Sequence, residues 1–218
     1  MWASLSFWSN GQPTQPPLQT RYLCIMNTEV IAELPTEHGE FEVRAFGSGV
    51  ESQPHVMLLS KIKPRGTPLI RVHSECWTGD VMGSLRCDCG EQLRMSLKRI
   101  AKEGGALLYL RQEGRGIGLV EKLKAYNLQD QGLNTFEANI ALGHDEDARS
   151  YEMVPAMLKT LGWNAVRLMT NNPEKVHALS AAGIDVEAVV PVLVKPNSHS
   201  QLYHQAKREL KGHGQFDG

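Results

Sequence analysis

The spacing of apolar residues changes near the middle of the chain, from short alternating stretches to a helical period. Between residues 29 and 74, short apolar stretches alternate with Gly and Pro. Strands are predicted over Phe41–Ala45, Val56–Leu59 and Leu69–Val72, with a turn at Lys63–Gly66. This part of the chain is therefore expected to supply strands to a sheet.

Helical spacing begins after residue 90. The apolar residues of Leu93–Ala101 predict a helix that Gly104 ends, and a strand over Ala106–Leu110 follows at once. Leu119–Tyr126 and Tyr151–Leu161 predict two further helices by the same spacing.

The last predicted unit is a strand, a helix and a second strand. The strand Ala165–Met169 precedes Thr170–Asn172, which can cap a helix, and Pro173 suits the first helical position. Gly183 ends that helix before a strand over Ile184–Val194. This order implies a parallel pair with a right-handed crossover. The predicted fold class is therefore α/β (α+β), with mixed β-sheets and βαβ units.

A single compact domain is predicted over residues 28–195, without an internal repeat. Residues 1–27 contain a polar, Pro-rich stretch that cannot bury enough surface to order itself, so a disordered N-terminal extension is predicted. Residues 196–218 are predicted to form a polar tail, in which 202–210 has the spacing of a short surface helix.

Composition and charge exclude several classes of protein. The chain has 218 residues, 41% of them hydrophobic, and 23 Lys and Arg against 24 Asp and Glu give a net charge of −1. A general nucleic-acid binder would carry a basic excess, and an acidic disordered chain would contain fewer apolar residues. No apolar run approaches the roughly 18 residues that cross a bilayer. We therefore expect a soluble, cytoplasmic protein without a nucleic-acid or membrane partner.

Three cysteines follow the pattern Cys76-x10-Cys87-x-Cys89. Thiolates suit zinc better than any hard cation, and three protein ligands with an open position are typical of a catalytic zinc that holds water. His73 as a fourth ligand would instead make the site structural, and a third alternative is that no metal binds. The spacing favours catalytic zinc among these three.

A second candidate site is the segment Arg111–Gly118, which follows a predicted strand and precedes a predicted helix. Its three glycines let the backbone approach a ligand, and its two arginines can bind phosphate oxygens. Its spacing is neither that of the dinucleotide fingerprint nor that of a Walker A loop. The alternative is a tight surface turn with solvated charges.

Two further segments are open to two interpretations each. Thr170–Lys175 could hold a phosphate or the edge of a base, although plain helix capping explains Thr170–Asn172 equally well. His144–Arg149 precedes a predicted helix, where acidic residues are ordinarily partners of the helix dipole, so propensity alone assigns it no catalytic role. Together, the candidate sites indicate a metal-dependent enzyme that acts on a phosphorylated substrate.

Six motifs in a fixed order carry a family resemblance. They are Arg71–Asp80, Ser84–Gly90, Arg111–Leu119, Leu128–Gly132, Glu137–Asn139 and Leu168–Pro173. With these motifs the chain resembles the GTP cyclohydrolase II family of riboflavin biosynthesis, from about Glu33 to Val194.

The resemblance implies hydrolysis of GTP to 2,5-diamino-6-ribosylamino-4(3H)-pyrimidinone 5′-phosphate, with release of formate from C8 of guanine and of pyrophosphate. One zinc ion per subunit would be bound by Cys76, Cys87 and Cys89. Mg²⁺ would accompany the GTP phosphates, since hard cations prefer phosphate oxygens. The family is typically homodimeric, and a homodimer is expected on that ground.

The resemblance also implies the roles of single residues. Asp147 and Arg149 match the family's catalytic pair at the α-phosphorus, and Tyr126 matches a tyrosine close to the reacting ring. Residues implied to bind GTP are Arg71, Val72, His73, Ser74, Glu75, Gln92, Glu113, Gly114, Arg115, Thr135, Thr170 and Lys175.

Two other functions remain as alternatives. One is a relative that stops at the formamidopyrimidine nucleotide, although family members that stop early replace the tyrosine that corresponds to Tyr126. The other is a non-catalytic, zinc-stabilised GTP-binding regulator.

Overall fold

The computed structural model describes residues 8–9, 12–13, 30–47 and 53–200. Most of the predicted extension and tail, and the predicted surface helix at 202–210, lie outside the described residues. Within the extension, strand β1 (Trp8–Ser9) pairs antiparallel with β2 (Gln12–Pro13). The domain boundaries at 28 and 195 stay predictions.

Seven strands form one mixed sheet, in the order β3-β4-β5-β7-β6-β8-β9. Neighbours are antiparallel from β3 to β7 and parallel from β7 to β9. The strands are β3 (Val30–Thr36), β4 (Gly39–Phe46), β5 (His55–Ser60), β6 (Leu69–Ser74), β7 (Gly105–Leu110), β8 (Ala165–Met169) and β9 (Asp185–Val190). The predicted α/β class is confirmed, and these seven strands belong to one sheet.

The four helices predicted within the described residues are confirmed, and two short helices there were not predicted. The helices are α1 (Trp77–Asp80), α2 (Cys89–Glu103), α3 (Leu119–Gln129), α4 (Thr135–Ala141), α5 (Met153–Lys159) and α6 (Pro173–Ala181), with a 3-10 turn at Glu113–Gly116. The short helices α1 and α4 are the unpredicted ones. Helix α2 joins the parallel strands β6 and β7, and α6 joins β8 and β9, as the strand-helix-strand order predicted.

Strand β6 is central, and its alternating side chains separate two apolar cores. Ile70 and Val72 lie in a core that includes Leu158 of α5 and Leu179 of α6. Leu69 lies in the second core, with Ile100 of α2. Helices therefore cover both faces of the parallel part of the sheet.

Two polar residues of β6, Arg71 and His73, lie on the same face of the strand as Leu69, the face that α2 covers. Arg71 is 5% exposed and His73 is 2% exposed. Burying such groups is costly unless they are hydrogen-bonded or serve a ligand, so their position marks a polar site inside the fold.

The loops that follow β6, β7 and β8 leave the same edge of the sheet, because these strands are parallel. The backbone N–H of Glu75 donates to the Leu110 carbonyl at 2.8 Å and ties two of these loops together. Ligands of open α/β sheets bind outside the carboxyl ends of the strands. Among the described helices, none has the length and apolar character needed to cross a bilayer.

Candidate active site

The three predicted zinc ligands form a cluster of free thiols at this edge. Cys76 follows β6, and Cys87 and Cys89 lie at the start of α2. Their Sγ atoms lie within 4.8 Å of one another, with 3.6 Å between Cys76 and Cys87. Thiolates about 2.3 Å from a tetrahedral zinc ion stand about 3.8 Å apart. The geometry and the soft donors of this thiol cluster (Cys76, Cys87 and Cys89) therefore fit zinc.

Two glycines let the turn of α1 lie against the start of α2. A Cβ atom on Gly90 would stand 2.1 Å from the Gly79 carbonyl oxygen, and one on Gly79 would stand 2.9 Å from Cys87 Sγ. A side chain at Gly90 would require the backbone to move, and one at Gly79 would displace the Cys87 sulfur. The glycines thereby allow the two segments that carry the cysteines to meet.

The thiols differ in acidity because they share hydrogen bonds. Bonds from Cys87 and Cys89 lower the pKa of Cys76, while the bond to Cys76 raises the pKa of Cys87 to about 11. Cys76 is therefore the first of the three to ionise. A metal ion must displace the remaining protons, which makes its binding dependent on pH.

His73 is not placed as a fourth metal ligand. Its Nε2 lies 3.1 Å from Asp80 Oδ1, and in the described part of the chain the cluster of metal-binding groups consists of the three cysteines. Burial lowers the pKa of His73 more than Asp80 raises it, so the ring is neutral. Asp80 also accepts bonds from the Cys76 backbone N–H at 3.0 Å and the Tyr109 hydroxyl at 2.8 Å. Asp80 thus positions both the histidine and the first cysteine.

Arg71 lies beside this network on β6. Its guanidinium donates to the Met169 carbonyl at 3.0 Å and to Gln92 Oε1 at 2.6 Å, and Gln92 Nε2 donates to Asp88 Oδ2 at 2.5 Å. These two acceptors of the guanidinium are neutral oxygens, and they hold a cation rigid beside the cleft. Such a group attracts an anionic ligand.

The glycine loop (Arg111–Gly118) packs against the segment that carries Asp147 and Arg149. A Cβ atom on Gly116 would stand 2.8 Å from the Ala148 carbonyl oxygen, and Ala148 N–H donates to the Arg115 carbonyl at 3.0 Å. The sequence predicted that the glycines let the backbone approach a ligand. At Gly116 the close approach is instead to the backbone of Ala148.

Asp147 binds two arginines at this contact. Arg115 donates to its Oδ2 at 3.0 Å, and Arg149 donates through Nε to Oδ1 at 2.7 Å and through a second nitrogen to Oδ2. Burial raises the pKa of Asp147, but the hydrogen bonds and charge of Arg149, with Arg115, outweigh it and hold the pKa below its usual value. The helix-dipole interpretation of this segment is wrong for Asp147, because α5 begins only at Met153.

The hydroxyl of Tyr126, a residue of α3, lies beside α1, the short helix that directly follows Cys76. The oxygen lies 3.1 Å from Thr78 Oγ1, and the guanidinium carbon of Arg86 lies 4.8 Å from the ring centroid. Burial raises the pKa of Tyr126, although Lys122 acts in the other direction. The phenol therefore stays protonated at neutral pH.

One cleft collects most of the residues that the sequence singled out. Sixteen of the eighteen line it: Arg71, His73, Ser74, Glu75, Cys76, Cys87, Cys89, Gln92, Glu113, Gly114, Arg115, Tyr126, Thr135, Arg149, Thr170 and Lys175. A soft-metal site and several cations therefore face the same space.

A family model described as GTP cyclohydrolase II matches residues 27–191. The chain belongs to the GTP cyclohydrolase II family. Its relatives include a GTP cyclohydrolase-2 from Campylobacter hominis, 47% identical over 191 residues, which are 86% of this chain and 96% of the relative. A GTP cyclohydrolase-2 from Shewanella pealeana is 48% identical over 184 residues, which are 84% of this chain and 88% of the relative.

Other relatives are about twice as long as the matched segment. The riboflavin biosynthesis protein RibBA from Parabacteroides distasonis is 46% identical over 191 residues, which are 87% of this chain and 47% of the relative. The chain thus spans about half the length of these curated relatives.

Two of the residues that the GTP cyclohydrolase II resemblance assigned lie outside the cleft lining, Val72 and Asp147. Val72 is fully buried in the core, and its carbonyl accepts a bond from Lys175 Nζ at 2.7 Å. Asp147 lies behind Arg149. Each of them therefore positions a cation that does line the cleft.

Of the two interpretations of the segment Thr170–Lys175, the structure tests the capping one. Thr170 Oγ1 accepts from Asn172 N–H at 3.0 Å, and Asn172 Oδ1 accepts from Glu174 N–H at 2.9 Å, so capping is confirmed. Thr170 and Lys175 also line the cleft of this GTP cyclohydrolase II family member.

Among the polar residues of the site, Asp80, Arg86 and Lys122 make contacts that the sequence did not predict. Lys122 precedes Tyr126 by four residues on α3, a spacing that puts two side chains on one helix face, and this signal could have found it. Asp80 and Arg86 act through partners on other elements, which no local pattern of the chain reveals.

Proposed function

We propose that the protein hydrolyses GTP, releasing formate from C8 of guanine and pyrophosphate from the phosphate chain. The remaining product is 2,5-diamino-6-ribosylamino-4(3H)-pyrimidinone 5′-phosphate, which commits the nucleotide to riboflavin biosynthesis. The observation that carries this proposal is that the thiol cluster and Arg149 line one cleft. Chemistry at the base and at the phosphates can then occur on one bound nucleotide.

Cys76, Cys87 and Cys89 are proposed to hold the zinc ion. The ion, when bound, supplies activation of a water molecule as a nucleophile near neutral pH. The chain itself contributes the Asp80 carboxylate, which accepts a hydrogen bond from the Cys76 backbone N–H and so fixes the position of that residue.

Tyr126 is proposed to act at the base end of the nucleotide. Its hydroxyl is protonated and bonded to Thr78, so it can orient a water molecule or relay a proton during the two hydrolytic steps at C8. The first step opens the imidazole ring to a formamide, and the second releases formate.

Arg149 is proposed to act at the α-phosphorus. A guanidinium stabilises the negative charge that develops on phosphate oxygens, whereas its pKa above about 12 makes it a poor nucleophile. Asp147, whose pKa is lowered, is suited to fix Arg149 and Arg115 as an anion rather than to accept a proton. Mg²⁺ is proposed to accompany the phosphates.

The GTP contacts are proposed for the residues that the resemblance assigned and the cleft contains. They are Arg71, His73, Ser74, Glu75, Gln92, Glu113, Gly114, Arg115, Thr135, Thr170 and Lys175. A homodimer, a cytoplasmic location and a catalytic domain over residues 28–195 remain proposals beside this one.

A product assay tests the proposal. Purified protein supplied with GTP, Zn²⁺ and Mg²⁺ is expected to release formate and pyrophosphate in equal amounts. Release of pyrophosphate without formate would be explained by a phosphohydrolase and would rule out the proposed reaction.

The variant Tyr126→Met is expected to stop at the formamidopyrimidine nucleotide. The hydroxyl beside Thr78 is lost, so the second attack at C8 loses its proton relay while ring opening and pyrophosphate release continue. We expect the formate-to-pyrophosphate ratio to fall about a hundredfold or more, since general acid-base catalysis contributes at least about that factor. Mass spectrometry of the product identifies the retained formyl group.

The matched control for this variant is Tyr109→Phe, which also removes a phenolic hydroxyl near the cleft, one bonded to Asp80. An unchanged product ratio in Tyr126→Met would show that Tyr126 has no part in deformylation.

A further inference from the structure

Lys122 is a partly buried cation that the proposed mechanism does not use. It lies in the first turn of α3, and its side chain is 12% exposed. Its Nζ donates to Cys76 Sγ at 3.1 Å and to Glu113 Oε1 at 2.7 Å. A lysine ordinarily keeps its ammonium in water, so this burial calls for a partner that repays the lost hydration.

The hydrogen-bond partners of Lys122 are connected to one another around Cys76, the first of the three proposed metal ligands. Glu113 accepts from Lys122 through Oε1, and its Oε2 accepts from the Trp77 backbone N–H at 2.5 Å. Trp77 directly follows Cys76, whose Sγ accepts from the same ammonium. The lysine therefore holds both the sulfur of Cys76 and, through Glu113, the backbone next to it.

Charge explains why a cation belongs at this position. A zinc ion with three thiolates has a net charge of −1, which weakens its ability to polarise a ligand and repels an anionic substrate. An ammonium at hydrogen-bond distance offsets that charge. The interaction is weakly screened, because the Lys122 side chain is 12% exposed and Cys76 is 6% exposed. Outer groups that bond to metal ligands ordinarily tune both affinity and reactivity.

We propose that Lys122 is a positioning and charge-compensating residue of the metal centre, acting through Cys76 and Glu113. The proposal rests on zinc binding by the thiol cluster, which is part of the proposed function. It assigns the lysine no contact with the reacting atoms.

The test compares Lys122→Met, Lys122→Arg and the control Lys124→Met. Lys124 lies on the same helix, but its side chain is 56% exposed and pairs with Glu121. Zinc affinity is measured by competition with a chromophoric chelator, and the thiolate-to-metal charge-transfer band is recorded with Co²⁺. Neither readout depends on turnover.

Lys122→Met is expected to weaken zinc binding about 10- to 100-fold, the range found for outer partners of metal ligands. Its Co²⁺ band should move to longer wavelength, because a sulfur without its hydrogen bond gives up charge more easily. Lys122→Arg is expected to recover most of the affinity, and Lys124→Met should match the parent in both readouts.

Parent-like affinity and an unshifted band in Lys122→Met would overturn the proposal, as would an equal loss in Lys124→Met. If Lys122→Met does not fold, Lys122→Gln, which keeps a donor without charge, decides by the same criteria. A parent protein that binds zinc but releases no formate would reject the proposed function and leave this comparison valid. A parent that binds no zinc would overturn both.

Discussion

Cys87→Ser is expected to lose formate release by on the order of a thousandfold or more, because metal activation of water supplies several kcal/mol of transition-state stabilisation. A serine hydroxyl is a much weaker ligand for zinc than a thiolate. The substitution leaves the shape of the side chain nearly unchanged, and Cys87 is not part of either apolar core. The thermal unfolding midpoint of the metal-free variant should therefore stay close to that of the metal-free parent.

The unfolding midpoint separates the enzyme from the zinc-stabilised regulator. A structural ion would leave both Cys87→Ser and the metal-free parent unfolded, whereas an enzyme with a catalytic ion predicts that both are folded and that neither opens the ring. Cys24→Ser is the matched control, since Cys24 is not part of the Cys76-x10-Cys87-x-Cys89 motif and lies outside the described residues. It is expected to keep both activity and midpoint.

Arg149→Met is expected to reduce the release of pyrophosphate by on the order of a thousandfold, the lower range for a guanidinium that stabilises phosphoryl transfer. Arg149 lines the cleft and is fixed by two bonds to Asp147. Arg149→Lys should recover little, because a single ammonium cannot reproduce the planar fork. Pyrophosphate is measured under single-turnover conditions, alongside the affinity for an α,β-methylene analogue of GTP.

The control for Arg149 is Arg99→Met, which removes an exposed arginine that pairs with Glu103 on α2. It should match the parent. If Arg149→Met kept its turnover and lost only affinity for the analogue, Arg149 would be a binding residue without a part in catalysis.

The elements that the sequence predicted are those whose pattern extends over several turns or a whole strand. Helix α2 has fifteen residues with a helical apolar spacing, and Gly104 ends it as expected. The seven-residue helix α4 lacks a long apolar period, although Asn134 and Glu137 form a capping box. Helix α5 is equally short, but the apolar spacing around it continues beyond both its ends, from Tyr151 to Leu161. The strand order, with β7 between β5 and β6, depends on pairings distant in the chain that spacing does not encode.

The candidate site was predictable where residue type alone carries the chemistry. The cysteine spacing indicated a soft-metal site, and the structure brings the thiols to within 4.8 Å. Asp147 shows the limit of local rules, because its position before a helix suggested a dipole partner while its bonds go to Arg115 and Arg149. Lys122 was missed for a related reason: its partners lie on segments 9 and 46 residues away.

The most direct test of the central claim measures formate from GTP labelled at C8. The protein is assayed as purified, after removal of metal by a chelator, and after Zn²⁺ is returned. We predict formate equal to pyrophosphate at the start, loss of formate after chelation and its recovery with Zn²⁺. Formate release that persists in the metal-free protein, or a protein that releases no formate under any of these conditions, would contradict zinc-dependent opening of the guanine ring.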